Sequence, residues 1–225
     1  MNVLCLIPAR GGSKGLPNKN IKSFLSKPLI EWTIEIALQC EFIDKVIVST
    51  DSDEIAYISS KAGADIPFKR PSNLALDTSP AINVVMHALK YLDKYDHVVV
   101  LQPTSPLRSL DDLNSAFNLY INNESDSLVS ICKASKHPSW SYFLGPSNEL
   151  IPFDSSKNYI CRQDFVPTYF LNGAIYINSR EFIFNQKAFI NENTIGYIMP
   201  EERSIDIDSD LDFKIAEFLK TKLMI

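Results

Sequence analysis

Short, continuous apolar runs recur along the chain at Val3 to Ile7, Val46 to Val48, Val98 to Leu101 and Leu128 to Ile131. Each is bounded by turn residues or by a helical pattern. Runs of this length without polar alternation are expected of strands covered on both faces, the condition of a parallel sheet in an α/β protein. Helical periodicity fills the gaps between them. Leu29, Ile30, Ile34, Ala37 and Leu38 fall on one apolar stripe, with Glu31, Glu35 and Gln39 largely off it. Pro80 is expected to open a helix capped by Ser79 and carrying Ile82, Val85, Met86 and Leu89. Ser109 and Asp112 have the spacing of a capping box ahead of Leu113, Phe117 and Tyr120. The alternation predicts a doubly wound α/β domain with a mostly parallel sheet.

The pattern breaks near Lys136. From there to about Phe170 the chain is rich in Pro, Ser, Asn and aromatic residues and has no helical period. An irregular or antiparallel excursion is predicted. So many aromatics in a weakly periodic segment suit either a subunit interface or a β-hairpin lid with its own small core. Order returns after it, with Ile205 to Asp208 expected as a strand, then a helix capped by Ser209 that turns Leu211, Ile215, Phe218 and Leu219 inward. The organisation expected is a core of residues 1–135 and 171–225 interrupted by an inserted segment, 136–170.

A chain of 225 residues, 45% of them hydrophobic, can bury one substantial core. A formal net charge of -5, with no broad basic face after residue 30, argues against a nucleic-acid partner. Cys5, Cys40, Cys132 and Cys161 lack C-x-x-C spacing and read as reduced core thiols. Met1 runs straight into an apolar strand with no basic stretch or cleavage site, and no apolar run has membrane-spanning length, so a cytoplasmic protein without membrane contact is expected.

The strongest local signal is Ile7-Pro8-Ala9-Arg10-Gly11-Gly12-Ser13-Lys14-Gly15-Leu16-Pro17-Asn18-Lys19-Asn20, directly after the first buried run. In an open α/β sheet, ligands sit beyond the carboxyl ends of strands, where this loop must lie. Gly11, Gly12 and Gly15 let backbone N–H groups approach an anion closely, and Arg10, Lys14 and Lys19 supply cations, a chemistry suited to a triphosphate. The spacing fits neither a P-loop nor a dinucleotide fingerprint. The second signal is Ser204-Ile205-Asp206-Ile207-Asp208. On a strand, Asp206 and Asp208 would share one face, and paired carboxylates suit Mg²⁺. Gln102, Thr104 and Ser105 follow the Val98 to Leu101 run and offer hydrogen bonds to a polyol, or simply the turn chemistry of Pro103 and Pro106. Arg162-Gln163 offers a fork for a carboxylate. His87 and His97 read as structural, whereas His137 reads as a possible site wall.

These segments together resemble the acylneuraminate cytidylyltransferases, the CMP-sialic acid synthetases. The resemblance is carried by Ile7 to Asn20, Arg70-Pro71 with Leu74-Ala75, Asp77 and Ser79, Gln102 to Arg108, Arg162-Gln163-Asp164, Asn172 to Tyr176, and Ile205 to Asp208, in family order along nearly the whole chain. Synthetases for the eight-carbon sugar Kdo look different in the opening loop. The resemblance implies a Rossmann-like nucleotidyltransferase core and a homodimer formed through a small inserted domain. It implies that Arg10, Gly11, Ser13, Lys14, Lys19, Asn20, Arg70 and Ser79 hold CTP. Gln102, Thr104, Ser105, Arg162, Gln163, Tyr169 and Asn172 would contact the sugar, and Asp206 and Asp208 would bind Mg²⁺, or Mn²⁺ as its substitute. Many relatives carry two arginines before the Gln-Asp, whereas Cys161 precedes Arg162 here.

The implied reaction is in-line attack of a sugar hydroxyl on the α-phosphorus of CTP, releasing pyrophosphate, with catalysis by positioning and electrostatics through Arg10, Lys14, Lys19, Arg162, Asp206 and Asp208. The alternatives are a nucleotide-binding module without catalysis, a synthetase for another 2-keto sugar acid such as Kdo, and a glycosyltransferase using Asp206-x-Asp208 as its metal motif. The sequence does not distinguish neuraminate, legionaminate and pseudaminate as substrate.

Overall fold

A computed structural model of the chain describes residues 1–12, 15–153 and 166–223. Ser13, Lys14, Cys161, Arg162 and Gln163 lie outside the described residues. The centre is a six-stranded sheet in the order β10-β6-β9-β5-β1-β4. Its strands are β1 (Val3–Pro8), β4 (Lys45–Ser49), β5 (His97–Val100), β6 (Ser127–Lys133), β9 (Tyr169–Ser179) and β10 (Ile195–Ile198). β1 pairs in parallel with β4 and β5, and β10 in parallel with β6, while β9 runs antiparallel between β5 and β6. The mostly parallel sheet expected from the apolar runs is therefore present, with one reversed strand inside it.

Helices cover both faces. α1 (Leu29–Gln39), α2 (Asp53–Lys61) and α4 (Leu110–Asn122) pack over Val3, Cys5, Ile7, Val46 and Val48. α3 (Ala81–Tyr91) and α5 (Arg180–Gln186) pack over Leu4, Leu6, Ile47, Val98 and Val100. Alternate residues of β1 thus enter opposite cores, as the two-residue side-chain period of a strand requires. A third cluster joins α6 (Asp210–Leu223) through Phe213 and Ala216 to Leu16, Phe24, Leu29, Leu107 and Ile207. Phe24 comes from a small hairpin, β2 (Ser23–Phe24) with β3 (Lys27–Pro28). No helix among the described residues is long and apolar enough to cross a membrane.

Local signals held at several helix ends. Ser109 accepts from the Asp112 amide while the Asp112 carboxylate accepts from the Ser109 amide, the reciprocal box that starts α4. Ser209 and Asp212 do the same at α6. Other expectations are corrected. Ser79 does not cap α3, because its hydroxyl donates instead to the Asn73 carbonyl at 2.7 Å. Leu38 is 49% exposed, since the stripe of α1 passes through Thr33 and leaves Leu38 at its edge. Leu211, Ile215 and Phe218 face outward, because α6 docks through Phe213 and Ala216.

Ile205 to Asp208 is not a strand. It crosses the carboxyl edge of the sheet instead of joining it, and it is held by point contacts. The Ile207 amide donates to the Thr104 carbonyl at 2.9 Å. Two residues upstream of the segment, Arg203 forks onto the buried Asp112 carboxylate at 2.8 and 3.0 Å. Within residues 136–170, the described part contains β7 (Tyr142–Leu144) paired with β8 (Leu150–Pro152), both exposed throughout.

Candidate active site

β1 leads out to β4 on one side and the chain then crosses back to β5 on the other, so the carboxyl ends of β1 and β5 flank a topological switch point. A crevice is expected there in any open α/β sheet. It is occupied by a cleft of about 520 Å³ whose lining includes Arg10, Gly15, Lys19, Asn20, Arg70, Asp77, Ser79, Gln102, Thr104, Asp206 and Asp208. Residues from the start, middle and end of the chain thus meet on one surface.

The cations are individually fixed. Lys19 opens a short 3-10 turn and reaches the far end of the chain, its Nζ lying 3.0 Å from Asp208 Oδ1 and donating to the Ile207 carbonyl at 2.6 Å. Arg10 pairs with Asp77, each side chain about one third exposed at 32% and 33%. Its backbone is clamped: the Asn20 side-chain amide donates to the Arg10 carbonyl at 3.0 Å, and the Gly11 amide donates to Asp51 Oδ1 at 3.0 Å. Arg70 is 5% exposed and donates to the Ser49 hydroxyl and carbonyl at the end of β4. Burial pushes its guanidinium down to about 10, against the upward pull of Asp51, so it remains a cation at neutral pH.

Two close approaches shape the acidic wall. A Cβ on Gly15 would stand 2.6 Å from the backbone oxygen of Asp208, so only glycine permits this contact between loop and segment. Gly173 has φ +73, and a Cβ there would stand 2.8 Å from Gln102 Oε1 and 3.6 Å from Asp206 Oδ2. That conformation belongs to a bulge where the pairing of β6 with β9 shifts register between Val129 and Ile131. Bulges re-aim a strand beside a site at the cost of local pairing. Here the vacated groups are taken up by side chains: the Ile175 amide donates to Ser130 Oγ at 2.8 Å, and the Ala174 amide donates to Asn172 Oδ1 at 3.2 Å.

Asp206 Oδ1 is buried and has no hydrogen-bond partner among the described residues. Burial raises its carboxyl above the usual range, and the charge of Asp208 adds to this, while the Thr104 hydroxyl and Lys19 oppose it. A buried carboxylate oxygen short of donors suits a cation. No cluster of three or more acidic, His or Cys side chains is arranged for a metal among the described residues. Asp206 and Asp208 both line the cleft, and two carboxylates there fit the chemistry of Mg²⁺ completed by water and phosphate oxygens.

Of the residues expected at the site, Arg10, Lys19, Asn20, Arg70, Ser79, Gln102, Thr104, Asp206 and Asp208 line the cleft. Gly11 stands beside it, its amide turned to Asp51. Two expected residues, Ser105 and Asn172, are not part of the cleft lining. Ser105 is fully buried beneath the turn, and Asn172 is 3% exposed because it pegs the bulge. Neither presents its side chain to the cleft. Tyr169 is exposed at the first residue of β9, opposite Lys133 on the ribbon that leads to the excursion, and His137 lines a separate small pocket with Trp140 and Thr168. His87 packs edge-on against Phe68 and His97 pairs with Tyr120, as structural residues. Cys5, Cys40 and Cys132 are buried and free; burial lifts the Cys5 thiol strongly and that of Cys40 to about 11.

Sequence reasoning gave no role to Asp51, which fixes the loop amide, or to Arg108. The Arg108 side chain is buried and ties β9 to α1 through the Ala174 carbonyl and Thr33 Oγ1. Asp51 was findable: it lies two residues past the end of β4, at the same carboxyl edge as the loop.

Residues 4–213 match the family described as cytidylyltransferase. The chain is 35% identical to a pseudaminic acid cytidylyltransferase of Campylobacter jejuni, covering 97% of this chain and 96% of the relative. It is 37% identical to a CMP-N,N'-diacetyllegionaminic acid synthase of Legionella pneumophila, with the same coverage of 97% and 96%. It is also 37% identical to an N-acylneuraminate cytidylyltransferase of Escherichia coli, of whose length it spans 52%. Among solved structures, a CMP-2-keto-3-deoxy-manno-octonic acid synthetase complexed with CTP superimposes with a TM-score of 0.76 at 17% identity, covering 99% of this chain and all of that one, a likeness of fold. With the switch-point cleft, its basic loop and a family match over nearly its full length, this chain belongs to the cytidylyltransferase family.

Proposed function

We propose that the chain transfers CMP from CTP to a nonulosonic acid, a nine-carbon sugar acid of the sialic, legionaminic or pseudaminic type, and releases pyrophosphate. The observation that carries the reading is the meeting of Lys19 with Asp208 in a cleft also walled by Arg10 and Arg70. A triphosphate needs converging cations and backbone amides, and its transfer chemistry needs charge stabilised where it develops. Arg10, Lys19 and Arg70, with Ser13 and Lys14 of the same loop, hold the phosphates. Asn20 and Asp51 keep the loop backbone in place, and Ser79 closes the nucleotide end. Gln102 and Thr104 orient the sugar hydroxyl for in-line attack, with Arg162, Gln163 and Tyr169 toward its carboxylate and substituents. Asp206 and Asp208 would hold Mg²⁺, or Mn²⁺ in its place, which supplies charge neutralisation on the triphosphate.

The chain works in this reading as a cytoplasmic homodimer with residues 136–170 as an inserted dimerisation segment. Support comes from the apolar surface that segment leaves exposed, including Trp140, Phe143, Leu144, Leu150 and Phe153. The test is pyrophosphate release from CTP and Mg²⁺ with neuraminic, legionaminic and pseudaminic acids and Kdo side by side. Release with one of the nine-carbon acids is expected. Release with Kdo alone, or with none, sinks the proposal.

A further inference from the structure

Arg10 is a cleft cation whose charge is matched by a carboxylate from the exposed connection ahead of α3. Its backbone is immobilised from two sides, by Asn20 and through the Gly11 amide by Asp51, yet its guanidinium turns to Asp77. Asp77 lies in residues 71–79, between Arg70 and α3. Four hydrogen bonds of that connection run within itself: Leu74 to the Pro71 carbonyl, Ala75 to Ser72, Ser79 to Leu76, and the Ser79 hydroxyl to Asn73. Leu74, Leu76, Asp77 and Ser79 line the cleft, so the Arg10–Asp77 pair links this wall to the basic loop across the mouth.

We propose that Asp77 is an exchangeable counter-ion for Arg10, a positioning residue that yields the guanidinium to an incoming phosphate group and reclaims it as pyrophosphate leaves. This rests on the nucleotide reading above. A polyanion arriving at Arg10 must displace the Asp77 carboxylate or lie beside it, and like charges in one partly shielded site repel. The pair is one third exposed on each side, so its own strength is small, and an exchange of partners is within reach of a stronger anion. Asp77 thereby holds the side chain of Arg10 in the empty cleft without letting the site grip its polyanionic product too tightly.

The test is calorimetric titration of CTP, and separately of inorganic pyrophosphate, both with Mg²⁺, into the full chain and its Asp77→Asn and Asp77→Ser variants. An ion pair this exposed shifts an equilibrium by a factor of about five at most. Both variants are expected to bind both ligands about three- to fivefold tighter at low salt, with the gain shrinking as added salt screens the lost charge. Thermal melting accompanies each variant, and since Asp77 is on the surface both are expected to fold. Unchanged or weaker binding in the folded variants overturns the proposal and makes Asp77 a structural partner of Arg10. A parent chain that binds neither ligand overturns the nucleotide reading along with it.

Discussion

Gly15 and Asp208 are in backbone contact, and that contact sets a sharp expectation for Gly15→Ala. The added Cβ would sit 2.6 Å from the Asp208 carbonyl oxygen, whereas ordinary contact begins at 3.4 Å. The two segments must therefore part by about 0.8 Å, the difference of those distances. Because the obstacle is backbone, no side-chain rotation relieves it. Gly15 is exposed and outside any core cluster, so the loop should yield without unfolding the domain. The displacement falls instead on Asp208 and on Lys19, whose Nζ is 3.0 Å from its carboxylate. A misplacement near 1 Å at a site that works by orientation costs about 10²-fold in turnover. Steady-state pyrophosphate release with saturating CTP and sugar acid, beside a thermal melt, reads both quantities. A kcat within threefold of the parent at unchanged Tm would refute the claim that the loop and the acidic segment must stay in register.

Arg10→Ala and Asp208→Ala should each lower turnover by orders of magnitude while leaving the melting temperature nearly unchanged, since Arg10 is one third exposed and the Asp208 side chain is 79% exposed. Arg203→Ala should destabilise the fold by about 3 kcal/mol in urea titration, because it strips the partner from a buried carboxylate, Asp112. Burial alone would raise the Asp112 carboxyl, but the Arg203 guanidinium and the Ser109 amide and hydroxyl outweigh it and hold it below 3.8. Its contribution is therefore present at neutral pH and lost as pH falls from about 3.8 through the lower folded value, so Asp112→Asn should flatten the acid limb of stability there. Light scattering should report a dimer, and Phe143→Asp with Leu150→Asp in the exposed β7–β8 hairpin should give monomers with reduced turnover; a parent monomer with full activity would dismiss the interface.

The parts of the fold legible in the sequence were those where one physical effect dominated. β1, β4 and β5 are buried on both faces, so their apolar runs are unbroken, and β6 departs from this only at Ser130, which bonds the bulge. The box at Ser109 is local chemistry and needs no tertiary context. β9 was legible as a motif but not as a reversed strand, because pairing direction is decided by the chain path before it, not by Asn172 to Tyr176 themselves. Asp206-x-Asp208 looked like an alternating strand because Ile205 and Ile207 flank the acids. The same alternation arises in an extended segment anchored by Thr104 and Lys19, which uses no ladder. Asn172 shows why spacing alone is ambiguous: a small polar residue at a sheet edge can serve a buried backbone group, here the Ala174 amide, as readily as a ligand. The meeting of Lys19 with Asp208, from opposite ends of the chain, was legible only through the rule that strand carboxyl ends share one edge.

That meeting is tested most directly by a double-mutant cycle on kcat/KM for pyrophosphate release, using Lys19→Ala, Asp208→Ala and the pair. Groups that serve one reacting centre are strongly non-additive. Each single change is expected to cost at least about 10²-fold, with the double variant far less impaired than the product of the two losses. Losses that simply multiply would mean the two residues act independently, and the shared cleft on which the account depends would be contradicted.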